Sequence, residues 1–286
     1  LESDGGAASE DIAEMMAANA DNINITLQTG GAAAWENASI SDGKTERHII
    51  KNGELQNVEN LGEAQMTSPN TLTDFIKWSA SNYPADRYEL VLWNHGGGTA
   101  LGFGYDEMYP DDMLSLSQIG NALSDSGIKF DIVGFDACLM GTIETAYMLE
   151  PYADYLVASE EYEPGTGWYY SEWLKNLSDN TSMPTVEIGK KIVEDYINGP
   201  DSSFFDSNTL SIVDLREIPY TYSKLCEIMQ QEEGVLDSRY SVISQARYNA
   251  KSFGDGEYEQ IDIKSYLEEC GKTYTELGKV RRSAVK

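Results

Sequence analysis

Phe130-Asp131-Ile132-Val133-Gly134-Phe135-Asp136-Ala137-Cys138 is the stretch on which the reading of this chain turns. Phe130 to Phe135 reads as a buried strand, and Thr142 to Leu149 follows directly as a helix. The same pattern occurs upstream, where the strand Tyr88 to Trp93 runs into Asn94-His95-Gly96-Gly97-Gly98. A helix precedes that strand. It opens at Ser68-Pro69, carries Leu72, Phe75, Ile76 and Trp78 towards one side, and closes at Tyr83-Pro84.

Working outward, a helix bearing Ile119, Ala122 and Leu123 joins the two strands, and Tyr155 to Ser159 and Thr209 to Val213 read as further strands. Helices are predicted near Val186 to Tyr196, Ile218 to Gln231 and Ile263 to Cys270. At the other end, a helix from Asp11 to Ala20 feeds a strand from Ile23 to Thr29. Asn52-Gly53 then turns a hairpin between His48–Ile50 and Leu55–Val58. Strands alternating with helices predict an α/β fold with a mostly parallel sheet covered on both faces, as a single domain over residues 1–286.

The 286 residues carry 48 acidic against 20 basic side chains, a net charge of −28 that repels phosphate backbones and excludes nucleic acid as a partner. Such acidity serves solubility, or it lines a pocket for a cationic side chain. No apolar run approaches the roughly eighteen residues of a membrane span. The first ten residues lack the pattern of a signal peptide. Cys138, Cys226 and Cys270 are far apart and odd in number, which supports neither a disulfide framework nor a zinc site. His48, in a strand with no second polar group beside it, reads as a partly buried or surface side chain.

In open α/β sheets, functional groups collect beyond the carboxyl ends of the strands. His95 and Cys138 both stand there. A thiol is a nucleophile as thiolate, and an imidazole within reach both assists ionisation and protonates a leaving amine. The glycines after His95 let backbone approach closely, so the Gly96 and Cys138 N–H groups are candidate oxyanion donors. Asp136, two residues before Cys138, projects to the same side. As an acid it cannot help form a thiolate, which leaves pairing with a cationic substrate group.

Trp93-Asn94-His95-Gly96-Gly97-Gly98 and Phe135-Asp136-Ala137-Cys138-Leu139-Met140-Gly141 resemble the two signature segments of the clostripain-like cysteine peptidases. Leu1 to Gly6, Gln28 to Gly31, Tyr83 to Tyr88 and Ser159 to Trp168 are similar to that family as well. The resemblance implies a caspase-like three-layer sandwich, a catalytic dyad of His95 and Cys138, and cleavage after Arg or Lys held by Asp136. Glu160 and Glu161 fall in a segment that borders the same pocket, with Glu161 a candidate wall residue. It also implies a secreted or extracytoplasmic protein.

The family has a core strand before the segment resembling Leu1 to Gly6 and strands beyond Lys286. The expectation is a chain lacking its first and C-terminal strands, as a fragment or processed form, or one completed by a separate chain. Some family members respond to calcium, and Asp106-Glu107 with Asp111-Asp112 offers oxygen ligands. Without EF-hand spacing these read as a solvated acidic loop, so no metal site and no cofactor are expected. No Lys or Arg occurs between Gly98 and Lys129, so self-cleavage between the two motifs is not expected. Two alternatives remain at this point: a transacylase or amidase using the same dyad, and an inactive family member that binds cations or partners.

Overall fold

The computed structural model describes residues 1–199, 208–233, 236–254 and 260–273. Contacts divide the chain into two units, Leu1–Leu215 and Arg216–Lys286. The first begins with α1 (Glu2–Gly5) and α2 (Ala7–Ala17), followed by β1 (Ile25–Thr29), β2 (Thr45–Lys51) and β3 (Glu54–Gly62). These strands form an antiparallel sheet in the order β1-β2-β3. The Asn52-Gly53 turn has positive φ at both residues, 52° and 70°, as the hairpin reading required.

The unit continues with α3 (Pro69–Asn82), β4 (Glu89–Trp93), α4 (Gly98–Leu101), α5 (Leu116–Ser126), β5 (Phe130–Asp136), α6 (Ile143–Leu149) and β6 (Ala153–Ala158). It ends with α7 (Tyr170–Asp179), α8 (Thr185–Asn198) and β7 (Ser211–Asp214). The second sheet has the order β4-β5-β6-β7, parallel from β4 to β6 and antiparallel at β7. The second unit holds α9 (Ile218–Glu233), α10 (Leu236–Asn249), the short pair β8 (Ser252–Phe253) and β9 (Gln260–Ile261), and α11 (Ile263–Thr273). Ile228, Ala246, Leu267 and Cys270 form its core.

The helices of the first unit fall into two packed groups, α3 with α5 and α6, and α2 with α7 and α8. Strand β5 serves both through its pleat. Ile132 enters the cluster of Met15, Trp173, Ile188 and Ile192, while Phe135 meets Phe103 edge-on on the other side. Each such fully buried aliphatic side chain contributes about 1.5–3 kcal/mol relative to exposure. Gly134 lies on the first face because a Cβ there would come within 2.6 Å of the Trp168 ring. Asp136, next along that face, inherits the same surroundings.

Among the described residues, β1 pairs with β2 alone and β4 with β5 alone, so each keeps one open edge there. A cavity of about 710 Å³ runs between them, lined by both strands along their length. Among the described residues, no helix is long and apolar enough to cross a membrane.

Candidate active site

The β4–β5 ladder ends at Trp93 opposite Asp136, and the Asn94 N–H still reaches the Asp136 carbonyl at 3.3 Å. Two residues further on along each segment come His95 and Cys138, at the same end of the sheet. The approach is close: a Cβ at Gly96 would sit 2.0 Å from the Cys138 carbonyl oxygen, so no larger residue fits there. Two sequence motifs 43 positions apart are thereby brought to one sheet edge by strand register.

Each side of this edge is fixed by local bonds. The Asn94 side chain accepts the His95 N–H at 2.7 Å and the Tyr105 N–H at 2.8 Å, closing the loop on itself. The His95 carbonyl takes the Gly104 N–H at 2.9 Å, and the imidazole meets the Tyr105 ring edge-on at 6.2 Å. On the other side, Leu139 adopts the left-handed backbone, φ 64°, at a cost of about 1–2 kcal/mol for a residue with a Cβ. The conformation is held because Leu139 is fully buried, its N–H donates to Glu161, and Gly141 donates to Ser159 at 2.7 Å. Thr142 then caps α6 by accepting the Thr145 N–H.

The Cys138 thiol is partly buried, with the Glu163 N–H pointing at Sγ at 3.3 Å. Burial pushes the thiol up, the Asp136 and Glu161 carboxylates add to this, and the Glu163 amide opposes it. Burial likewise pushes the His95 imidazole down. Both are therefore neutral at rest near neutral pH. Among the described residues, the N–H groups of Gly96 and Cys138 are taken by no other residue's acceptor.

Beneath the thiol lies a set of buried acids. Asp136 is 4 % exposed, and its carboxyl accepts the Tyr170 hydroxyl at 2.7 Å and the Trp168 N–H at 3.1 Å. Gly167, with φ 58°, passes so close that a Cβ would lie 2.8 Å from this carboxyl. Glu163 faces Asp136, and both of its oxygens are buried. Asp11 approaches from α2 and binds Trp93 Nε1 at 2.6 Å. Burial pushes Asp136 up and Glu163 well up, and burial with the Asp136 charge takes Asp11 to about 10.

Of the residues singled out in the sequence, His95, Gly96, Asp136 and Cys138 come together here. Glu161 lies near the thiol, its backbone holding Leu139 and its carboxylate accepting the Tyr162 N–H. Glu160 accepts from Ser211, away from Asp136. Glu163, Asp11, Asn94, Trp168 and Tyr170 were not anticipated. Their signal was faint: an acid two residues beyond Glu161, and aromatic side chains following Gly167.

His48 departs from its reading as a partly buried or surface side chain without polar company: it is fully buried, with Nε2 3.0 Å from Thr29 Oγ1 and 3.8 Å from the Glu46 carboxylate. The acidic loop departs from its solvated reading at Asp106, which is 1 % exposed and accepts the Met66 and Met108 N–H groups. Glu107 ties Ser3 and Ala33, and Asp112 accepts from Gln65. Backbone N–H groups and the Ser3 hydroxyl serve the first two as donors. Among the described residues, no three His, Cys, Asp or Glu side chains are grouped to hold a metal ion.

A family model described as the clostripain family matches residues 3–283. Clostripain of Hathewaya histolytica is 37% identical over 128 residues, covering 38% of this chain and 24% of that protein. The matched stretch thus spans about a quarter of the relative's length. Among solved structures, a secreted C11 cysteine protease of Bacteroides thetaiotaomicron, iotapain, superimposes with a TM-score of 0.74 at 17% identity, covering 99% of this chain and 81% of that one. A secreted C11 cysteine protease from the same organism, in complex with an irreversible peptide inhibitor, gives 0.66 at 19%, covering 95% and 80%. These likenesses extend the fold assignment to nearly the whole chain.

Proposed function

The chain belongs to the clostripain family of cysteine peptidases, with their caspase-like α/β fold, and from that premise we propose that it is an endopeptidase cleaving after Arg or Lys. The observation that carries the specificity is the Asp136 carboxyl, buried beneath the Cys138 thiol with no Lys or Arg bonded to it among the described residues. Leaving an acid buried without a cation is costly, and a substrate guanidinium or ammonium relieves that cost.

In this reading His95 takes the Cys138 proton as the substrate carbonyl arrives, and the thiolate attacks to give a tetrahedral oxyanion. The Gly96 and Cys138 N–H groups, which among the described residues bond to no other residue's acceptor, receive that charge. The imidazolium then protonates the leaving amine. Water, deprotonated by His95, hydrolyses the thioester. A neutral thiol at rest suits this order, since the proton moves when the substrate excludes water. Glu161 borders the thiol as a weaker wall residue. We place the protein outside the cytoplasm, in keeping with its secreted relatives.

The open edges of β1 and β4 fit the same family reading. Two unpaired strand edges across one cavity suit an added strand from a further stretch of polypeptide. The deciding experiment is a panel of fluorogenic peptides varied at the residue before the cut. Rapid cleavage after Arg, slower cleavage after Lys and little after Leu or Asp is expected, because a bidentate fork suits a carboxylate best. Equal rates after Leu and Arg would refute the assignment of the pocket. A product burst without net hydrolysis would point to a transacylase instead.

A further inference from the structure

Both carboxyl oxygens of Glu163 are buried, and among the described residues neither meets an N–H or O–H donor in hydrogen-bonding geometry. What they face is the Asp136 carboxyl. Trp168 Nε1 lies alongside and is itself buried without a partner. Two carboxylates are both acceptors, so they can bond to each other only with a proton between them.

The surroundings supply no other way to balance the pair. The titratable groups around it are Cys138 at the sheet edge, with Glu161 beside that thiol, Asp11 on α2, with Glu14 beside it, Tyr170 on α7 and Tyr196 on α8. Every one of these is an acid or neutral. Among the described residues, none of Asp11, Asp136 and Glu163 takes part in an ion pair. Asp136 accepts from two outside donors, the Tyr170 hydroxyl and the Trp168 backbone N–H, whereas beside Glu163 lies the Trp168 indole N–H, which favours its charged form but stands outside hydrogen-bonding geometry, so the less satisfied half of the pair is Glu163.

We propose that Glu163 is a second specificity-determining residue, and that the empty pocket holds a proton shared between Glu163 and Asp136 which the basic side chain of the substrate displaces. Binding is then an exchange. A guanidinium enters, both carboxyls become charged around it, and the proton leaves to solvent, so that the charge of the pocket is the same before and after. Glu163 gains the donors it lacks, and Asp136 keeps those it has. Two carboxyls at different angles also match a five-donor guanidinium better than one does. Selectivity for a cation, rather than for any polar side chain, follows because a neutral group cannot offset the second charge.

This rests on the reading of the pocket as the site for Arg or Lys, and the experiment separates the two. Butylguanidinium, with butylurea as its neutral counterpart, is titrated into the whole protein by calorimetry in buffers of different ionisation enthalpy. Competition with an Arg substrate is measured in parallel. In the wild type, about one proton should be released per butylguanidinium bound near neutral pH. Affinity should rise by up to about tenfold per pH unit below the range in which the pair titrates, and level off above it. Glu163→Gln should release none and flatten the profile, whereas Glu163→Asp, which retains the acid, should restore both. Butylguanidinium that competes with substrate but binds with no proton release at any pH from 5 to 8 would overturn the exchange while leaving the specificity intact. Failure to bind or compete at all would instead remove the reading of the pocket itself.

Discussion

The edge of the sheet and the pocket beneath it hold their side chains in opposite ways. At the edge, His95, Gly96 and Cys138 are positioned by backbone: strand register, the Asn94 loop bonds, and a left-handed Leu139. Their side chains are left partly exposed and lightly bonded. In the pocket, Asp11, Asp136 and Glu163 are positioned by enclosure, with aromatic rings and helices from three segments around them. Reacting groups need a fixed origin and some freedom at the tip, whereas a recognition group needs its charge kept from water. The difference teaches that damage to the edge should show as lost turnover, and damage to the pocket as lost selectivity.

The largest test is Cys138→Ala, which should lower peptide hydrolysis by more than about 10⁴-fold with little change in melting temperature. Comparable loss in Cys226→Ala with Cys138→Ala still active would break the assignment. Asp136→Asn should reduce kcat/KM on Arg substrates by roughly 10²-fold or more while sparing the slow cleavage after Leu, since the buried partner of the cation is lost. A uniform loss across the panel would erase the distinction between edge and pocket. Gly96→Ala should cost on the order of 10²-fold in kcat on every substrate alike, because the added Cβ must displace the Cys138 carbonyl.

Stability against pH sharpens the contrast further. Burial holds Asp136 and Glu163 above the usual carboxylate range and takes Asp11 to about 10, so the folded protein keeps protons that the unfolded chain releases. That contribution is complete below the unfolded carboxylate range near pH 4 and is lost as pH rises through the folded values. The melting temperature of the unliganded protein should therefore fall between pH 5 and pH 8, by about 2–4 °C for each kcal/mol lost. Asp136→Asn should fall less steeply, which separates the pocket from the general repulsion of a chain at −28. A steeper fall in the variant would contradict the placement. Smallest of all, Glu161→Gln should change kcat/KM by less than about threefold, since its carboxylate is the weakest of the influences on the Cys138 thiol.

The two ways of holding side chains also explain what could be read from sequence. The edge was legible because each half is a continuous motif, an apolar strand ending in a functional residue with small neighbours. Asp136 was legible through the two-residue repeat of a strand. Glu163 was missed in favour of Glu161 because the segment from Ser159 to Trp168 has no periodicity, so nothing local says which acid turns inward. Asp11 was seen as the start of a helix that in fact runs Ala7–Ala17, and its meeting with Trp93 spans 82 positions. Helix α7 went unread because Tyr170–Asp179 is largely polar, with Trp173 and Leu174 its buried face. The reversed direction of β7 is set by pairing with β6, which no local pattern records.

The loop that follows His95 bears on how long such an enzyme lasts in its own company. Phe103 and Leu114 exchange two backbone bonds of 2.9 and 2.8 Å, Gly104 and Tyr105 are tied back to His95 and Asn94, and Glu107 donates to Gly31. At the far end, Lys129 is engaged through its ammonium by the Ala153 carbonyl at 2.8 Å. A concentrated stock of a peptidase that cuts behind basic residues is consumed by whichever basic residue is easiest to reach. Here the connection between the His95 and Cys138 segments offers no basic residue before Lys129, and its backbone is tied down at both ends. Nicking on storage should begin outside residues 98–129, and intact mass of an aged sample should find His95 and Cys138 still on one unbroken stretch of chain.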